Sequence, residues 1–119
     1  MPNHIRAAAG PGWALVGDAG YHRDAITGHG ISDAFRDAEL LAMALDEALR
    51  NPAEESVALR GYARTRDRMA RPIFDITCEL GTFPGVERFI ELQRQLAAAI
   101  DDQAAELNAR PSLAGAAAA

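Results

Sequence analysis

The chain has 119 residues and a net charge of −5, and 26 of its hydrophobic residues are Ala. Leu, Ile, Val and Phe number only 25, so the sequence can fill one thin core in one domain, and so much Ala favours helix over long buried strands. The acidic balance argues against a nucleic-acid partner although all 12 basic residues are Arg, the lone Cys78 excludes a disulfide framework, and no run approaches the roughly 20 apolar residues of a membrane span.

Residues 1–12, broken by Pro2, Gly10, Pro11 and Gly12, read as weakly structured. Trp13–Val16 is a short apolar run ended by Gly17, the pattern of a buried strand. Gly17 to Gly30 is a Gly-, Asp- and His-rich loop without periodicity, long enough to suggest function. From Ile31 to Arg50 the pattern is helical: Ala34, Ala38, Leu41, Leu45 and Ala48 share a face, widened by Leu40 and Leu49. Asp33 and Asp37 at its start and Arg50 at its end suit the helix dipole. Asn51 and Pro52 break that helix and cap the next, with Glu54 placed for a capping box.

The second helix is expected to run to about Arg71, with Leu59, Tyr62, Ala63, Arg66 and Met69 as its stripe, and to end or kink at Pro72. Ile73, Phe74, Ile76 and Leu80 extend the apolar pattern, and Gly81–Gly85 is a loop. Val86, Phe89, Ile90, Leu96, Ile100 and Leu107 mark a third helix, and 111–119 reads as a disordered tail. Arg60, Arg64, Arg66, Arg68 and Arg71 read as a solvated face paired with Glu54, Glu55 and Asp67. The N-terminus has no apolar signal core, so a cytoplasmic protein is the expectation.

The chemistry concentrates between Gly17 and Ser32. Glycines let a backbone approach a ligand closely, and the start of the following helix offers unpaired N–H groups and a positive dipole end. A carboxylate just after a strand, Asp18, can accept hydrogen bonds from sugar-type hydroxyls. Together these describe a site for a polyol-bearing, electron-rich or anionic ligand. Gly28-His29-Gly30 lacks the third glycine of the dinucleotide fingerprint, since Asp33 stands there. Asp18 alone also reads as a turn residue, and Asp18, His22, Asp24 and His29 have the types of metal ligands.

Trp13–Asp18, His22, Gly28–Ser32 and the helix to Leu41, with Tyr62–Arg66 downstream, resemble the second flavin-binding motif of the FAD-dependent aromatic-hydroxylase-type monooxygenases, over about residues 10–70. The resemblance implies that Asp18, after Gly17, contacts the ribityl chain of FAD. It implies that Gly28, His29, Gly30, Ile31 and Ser32 bring backbone N–H groups to the flavin ring and phosphate. It also implies NAD(P)H as reductant. The sequence departs from the family at Ala25, where Pro is common, and at His29, where Gln is common. The family's opening Gly-x-Gly-x-x-Gly unit does not occur in these 119 residues.

The expected architecture is therefore mainly α with one or two short strands, the C-terminal part of an aromatic-hydroxylase-like α/β FAD-binding fold. Residues 1–50 would form a partial FAD-binding segment and 51–110 a helical segment. FAD is the expected cofactor, and a missing N-terminal domain or another subunit the expected partner. No catalytic residue is assigned. The competing expectation is a small helical protein-interaction module without cofactor, hiding the Val86–Leu107 stripe against a partner.

Overall fold

The computed structural model describes residues 2–111, so the tail expected at 111–119 lies outside the described residues except for Pro111. Three long helices dominate: α1 (Gly30–Arg50), α2 (Glu55–Leu80) and α3 (Val86–Ala109). Before them come four two-residue strands rather than one or two: β1 (His4–Ile5), β2 (Ala9–Gly10), β3 (Trp13–Ala14) and β4 (Tyr21–His22). β1 pairs antiparallel with β4, placing Ile5 opposite Tyr21. β2 pairs antiparallel with β3, placing Gly10 opposite Trp13. The mainly helical class follows the composition. No helix among the described residues is long and apolar enough to cross a membrane.

The N-terminal residues are more ordered than their Pro and Gly content suggests. Gly12 turns the β2–β3 hairpin at φ +74°, a left-handed conformation that side chains other than glycine resist. The Trp13 indole lies across Gly10, where a Cβ would come within 2.6 Å of the ring. Trp13 is therefore 46 % exposed rather than buried in a strand, and the strand ends at Ala14 instead of Val16.

The helices differ from expectation in three places. The buried face of α1 is Asp33, Arg36, Asp37, Ala44 and Ala48, rotated from the expected stripe, so Ala38 and Leu45 face outward. Asn51 makes no side-chain cap; Pro52–Glu54 instead form a 3-10 turn closed by the Glu54 N–H donating to the Asn51 carbonyl at 2.9 Å. α2 continues through Pro72. An interior proline costs a helix about 3 kcal/mol, and burial on both sides of it offsets that: Met69, Ala70, Ile73, Phe74, Thr77 and Leu80 are all inside.

The core is divided into three small clusters. Ala8, Ala44, Ala48, Ala58 and Tyr62 join the first hairpin to α1 and α2. Ile73, Leu80, Leu92 and Leu96 join α2 to α3. Tyr21, Ala70 and Phe74 seat β4 on α2. Of the third helix's expected stripe, Leu96 is buried and Phe89 and Ile100 are half-buried, while Val86 and Ile90 are exposed. The molecule measures 52 × 30 × 18 Å with a radius of gyration of 15.8 Å, against about 13.5 Å for a compact domain of this length. It is a plate, with broad faces and little interior.

Candidate functional site

The Gly-Asp turn and the start of α1 meet at one surface. Gly17–Ala19 form a 3-10 turn in which Gly17 has φ +56° and is packed so closely on α1 that a Cβ would lie 3.0 Å from the Ala34 Cβ. No other residue type fits both the dihedral and the space. The turn presents Asp18 outward, its side chain 80 % exposed, with Oδ2 4.0 Å from His22 Nδ1. A Cβ on Gly30 would stand 4.0 Å from Asp18 Oδ1, so the carboxylate lies beside the first residue of α1.

Ahead of that helix, Ala25–Thr27 form a second 3-10 turn, capped by Asp24 Oδ1 accepting from the Ile26 N–H at 3.0 Å. Gly28 follows in the left-handed region at φ +68°. No side chain caps α1, and its first backbone bond runs from the Asp33 N–H to the His29 carbonyl at 3.0 Å. The amides of Gly30, Ile31 and Ser32 therefore lie at the positive end of the helix without a capping side chain. Two polar atoms beside them, Thr27 Oγ1 and His29 Nε2, are buried without a hydrogen-bond partner among the described residues. Such atoms are free to bond a water or a ligand.

Beneath this surface lies a charged network. Asp37, fully buried, divides its carboxylate: Oδ2 accepts from the Gly17 N–H at 3.0 Å, and Oδ1 accepts from Arg36 Nε at 3.0 Å and Nη2 at 2.6 Å. Arg36 Nη1 donates to Asp33 Oδ1 at 2.9 Å and Nη2 to the Tyr21 hydroxyl at 2.6 Å. The other Asp33 oxygen pairs with Arg23. Arg66, fully buried on α2, donates from Nη2 to the Arg6 carbonyl at 2.6 Å and lies 2.9 Å from Asp67 through Nε. The guanidinium groups of Arg23, Arg36 and Arg66 stand 5.4–5.9 Å from the Tyr21 ring centre, within cation–π range.

Burial pushes the Tyr21 phenol well above its ordinary value, opposed by Arg36. It also raises the Asp33 carboxyl, although Arg23 and Arg36 pull the other way. Arg36 ends above its usual value, because Tyr21, Asp37 and Asp33 outweigh its own desolvation. Two guanidinium groups, Arg23 and Arg36, face the buried carboxylates of Asp33 and Asp37, and Arg23 Nη1 and Arg66 Nη1 keep no partner among the described residues.

Of the residues singled out from the sequence, Gly17 is buried under the turn, Asp18, Gly28, Gly30, Ile31 and Ser32 are exposed, and His29 is half-buried. All seven lie in the two adjoining segments. Asp18, His22, Asp24 and His29 do not assemble as ligands: no group of three or more His, Cys, Asp or Glu side chains able to hold a metal ion occurs among the described residues. The solvated-face reading of the arginines fails at Arg66, which belongs to the core, and Arg68 pairs with Glu106 of α3 rather than with a neighbour on its own helix.

The sequence reading missed Tyr21, Arg23, Arg36, Asp37 and Arg66 as a set. A signal existed: Asp33, Arg36 and Asp37 fall in register with Ala44 and Ala48 on one helix face, and charged residues on an apolar stripe are buried with partners. Set against protein-family models, curated proteins and solved structures, the chain gives no match.

Proposed function

We propose that this chain supplies one half of an FAD site in a flavin-dependent monooxygenase or related oxidoreductase of the cytoplasm. In this reading Asp18 accepts hydrogen bonds from the ribityl hydroxyls, and the amides of Gly28–Ser32 meet the electron-rich edge of the flavin. FAD, reduced by NAD(P)H, supplies the redox chemistry when bound; the residues of this chain bind and orient it. The observation carrying the reading is the adjacency of an exposed Asp18 carboxylate and the uncapped start of α1, the two features a polyol-bearing anion needs side by side.

The plate is only 18 Å thick along its shortest axis, and a surface of that kind covers one side of a cofactor. The ADP half and the covering walls then come from another domain or subunit. The face presented to it includes Ile31 and Phe35, 75 % and 74 % exposed. Those same exposed side chains, with Leu45 and Leu49 further along α1, favour the second reading, a helical interaction module without cofactor.

Flavin fluorescence separates the two. The account expects weak, saturable quenching of FAD by the purified chain, lost in Asp18→Ala. Absence of quenching at millimolar protein contradicts flavin binding, and tight one-to-one binding contradicts the half-site.

A further inference from the structure

We infer that Asp37 and Arg36 are positioning residues that clamp the Gly-Asp turn from both sides and so fix where Asp18 presents its carboxylate. The inference rests on the flavin reading and extends it to residues that touch no ligand. The Asp18 carboxylate makes no hydrogen bond among the described residues: its side chain is exposed, and the His22 ring nitrogen stands 4.0 Å away. Its flanks, by contrast, are tied to α1. Upstream, the Gly17 N–H donates to Asp37 Oδ2. Downstream, the Tyr21 hydroxyl accepts from Arg36 Nη2. Asp37 and Arg36 are joined to each other by two hydrogen bonds, so the two anchors form one unit, braced by Asp33 and, through it, Arg23.

The chemistry demands a carboxylate at position 37. Its two oxygens serve two different donors, one each. An amide has one accepting oxygen and one donating nitrogen. Asn therefore satisfies either Gly17 or Arg36 and points N–H at the other. An apolar residue satisfies neither and leaves Arg36 with Asp33 as its one remaining counter-charge among the described residues. At position 21 a phenyl ring keeps the packing and removes only the downstream tie.

Two variants test the clamp without relying on one fold survivor: Asp37→Asn, and Tyr21→Phe, which leaves every charge in place. Two readouts are taken on each and on the wild type: hydrogen exchange of the Gly17 amide, and quenching of FAD fluorescence by the full chain. The expected result is slow exchange at Gly17 in the wild type, faster exchange in Asp37→Asn, and FAD binding weakened about tenfold in each variant, the size of one lost charge-assisted hydrogen bond. Wild-type affinity for FAD in both variants overturns the positioning role while leaving the flavin reading intact, as does a Gly17 amide that exchanges freely in the wild type. Failure of the wild type itself to quench FAD, with Gly17 protected, contradicts the flavin reading instead and takes the role of the clamp with it.

Discussion

α2 is packed along its two halves by different chemistry. Its N-terminal half meets α1 and the first hairpin through Ala58 and Tyr62 against Ala8, Ala44 and Ala48, on the same α1 whose Asp33–Arg36–Asp37 set ties down Gly17, Tyr21 and Arg23. Its C-terminal half meets α3 through Ile73 and Leu80 against Leu92 and Leu96. The second interface is mainly apolar burial, which tolerates volume-conserving swaps, flanked by the exposed pairs Arg68–Glu106 and Arg88–Glu79. The first has few large apolar side chains, and both its helices hold the N-terminal segment by hydrogen bonds that each need a particular atom: Asp37 and Arg36 to Gly17 and Tyr21, Tyr62 and Arg66 to the Leu15 and Arg6 carbonyls. The charged network is the one that holds the Gly-Asp turn, through the Gly17 N–H and the Tyr21 hydroxyl. Packing that only stabilises and packing that also orients a turn have been built from different residues.

The contrast is broken most severely at Asp37. Removing one member of a buried ion network costs about 3–5 kcal/mol, because the partner charge stays behind unpaired. Asp37→Ala is expected to fall at the lower end of that range in urea unfolding, because Arg36 loses Asp37 and keeps Asp33. Leu92→Ala probes the other interface, where deleting a fully buried Leu costs about 2–5 kcal/mol. The sharper expectation concerns repair: an apolar residue of similar size at position 92, such as Met, restores most of the stability, whereas Asp37→Leu does not restore Gly17 protection. If Leu rescues Asp37→Ala in both stability and Gly17 exchange, the two interfaces do not differ in kind.

Alkaline pH attacks the buried phenols. Burial raises the phenol pKa of Tyr21 and of Tyr62, with Asp37 adding to the effect at Tyr62. The folded state therefore holds protons that the unfolded chain gives up near 10. Stability from these phenols is fully present below that value and declines as pH rises above it. Tyrosinate absorbance is expected to appear together with loss of helical circular dichroism; free titration of either tyrosine in a folded chain contradicts the buried geometry.

Acid attacks the second interface, and more gently. Hydrogen bonds from Arg68 on α2, helped by Arg110, lower Glu106 on α3 from 4.5 to about 2, with N···O distances of 2.5 and 2.7 Å to Arg68. A depressed carboxyl stabilises the fold above its unfolded value and loses that contribution as pH falls from 4.5 toward 2. The pair is largely exposed, so its worth is under about 1 kcal/mol. Glu106→Gln is expected to flatten that small acid limb and leave alkaline stability unchanged.

The same division governs what could be read in advance. The helices at 30–50 and 86–109 follow from apolar spacing and from the glycines and prolines around them, and the Gly-Asp turn and Gly-x-Gly entry were visible as motifs. The helix through Pro72 was not, because local proline chemistry argues for a break and only tertiary burial overrules it. As sequence, Asp33 and Asp37 suit the helix dipole, a role that needs only the helix; besides Arg36, their partners Gly17 and Arg23 come from a segment whose path no periodicity predicts. Arg66 sat on the apolar stripe and in a run of arginines at once, and sequence spacing alone does not say which governs.

The central claim is that the turn after Val16 and the entry to α1 contact one ligand from two sides. Backbone amide shifts of the labelled chain, followed as FAD is added, test it directly. The account predicts saturable shifts confined to Gly17–Ala19 and Gly28–Ser32, sharing one affinity and abolished together by Asp18→Ala. Shifts in only one of the two segments, or shifts centred elsewhere on the plate, contradict it.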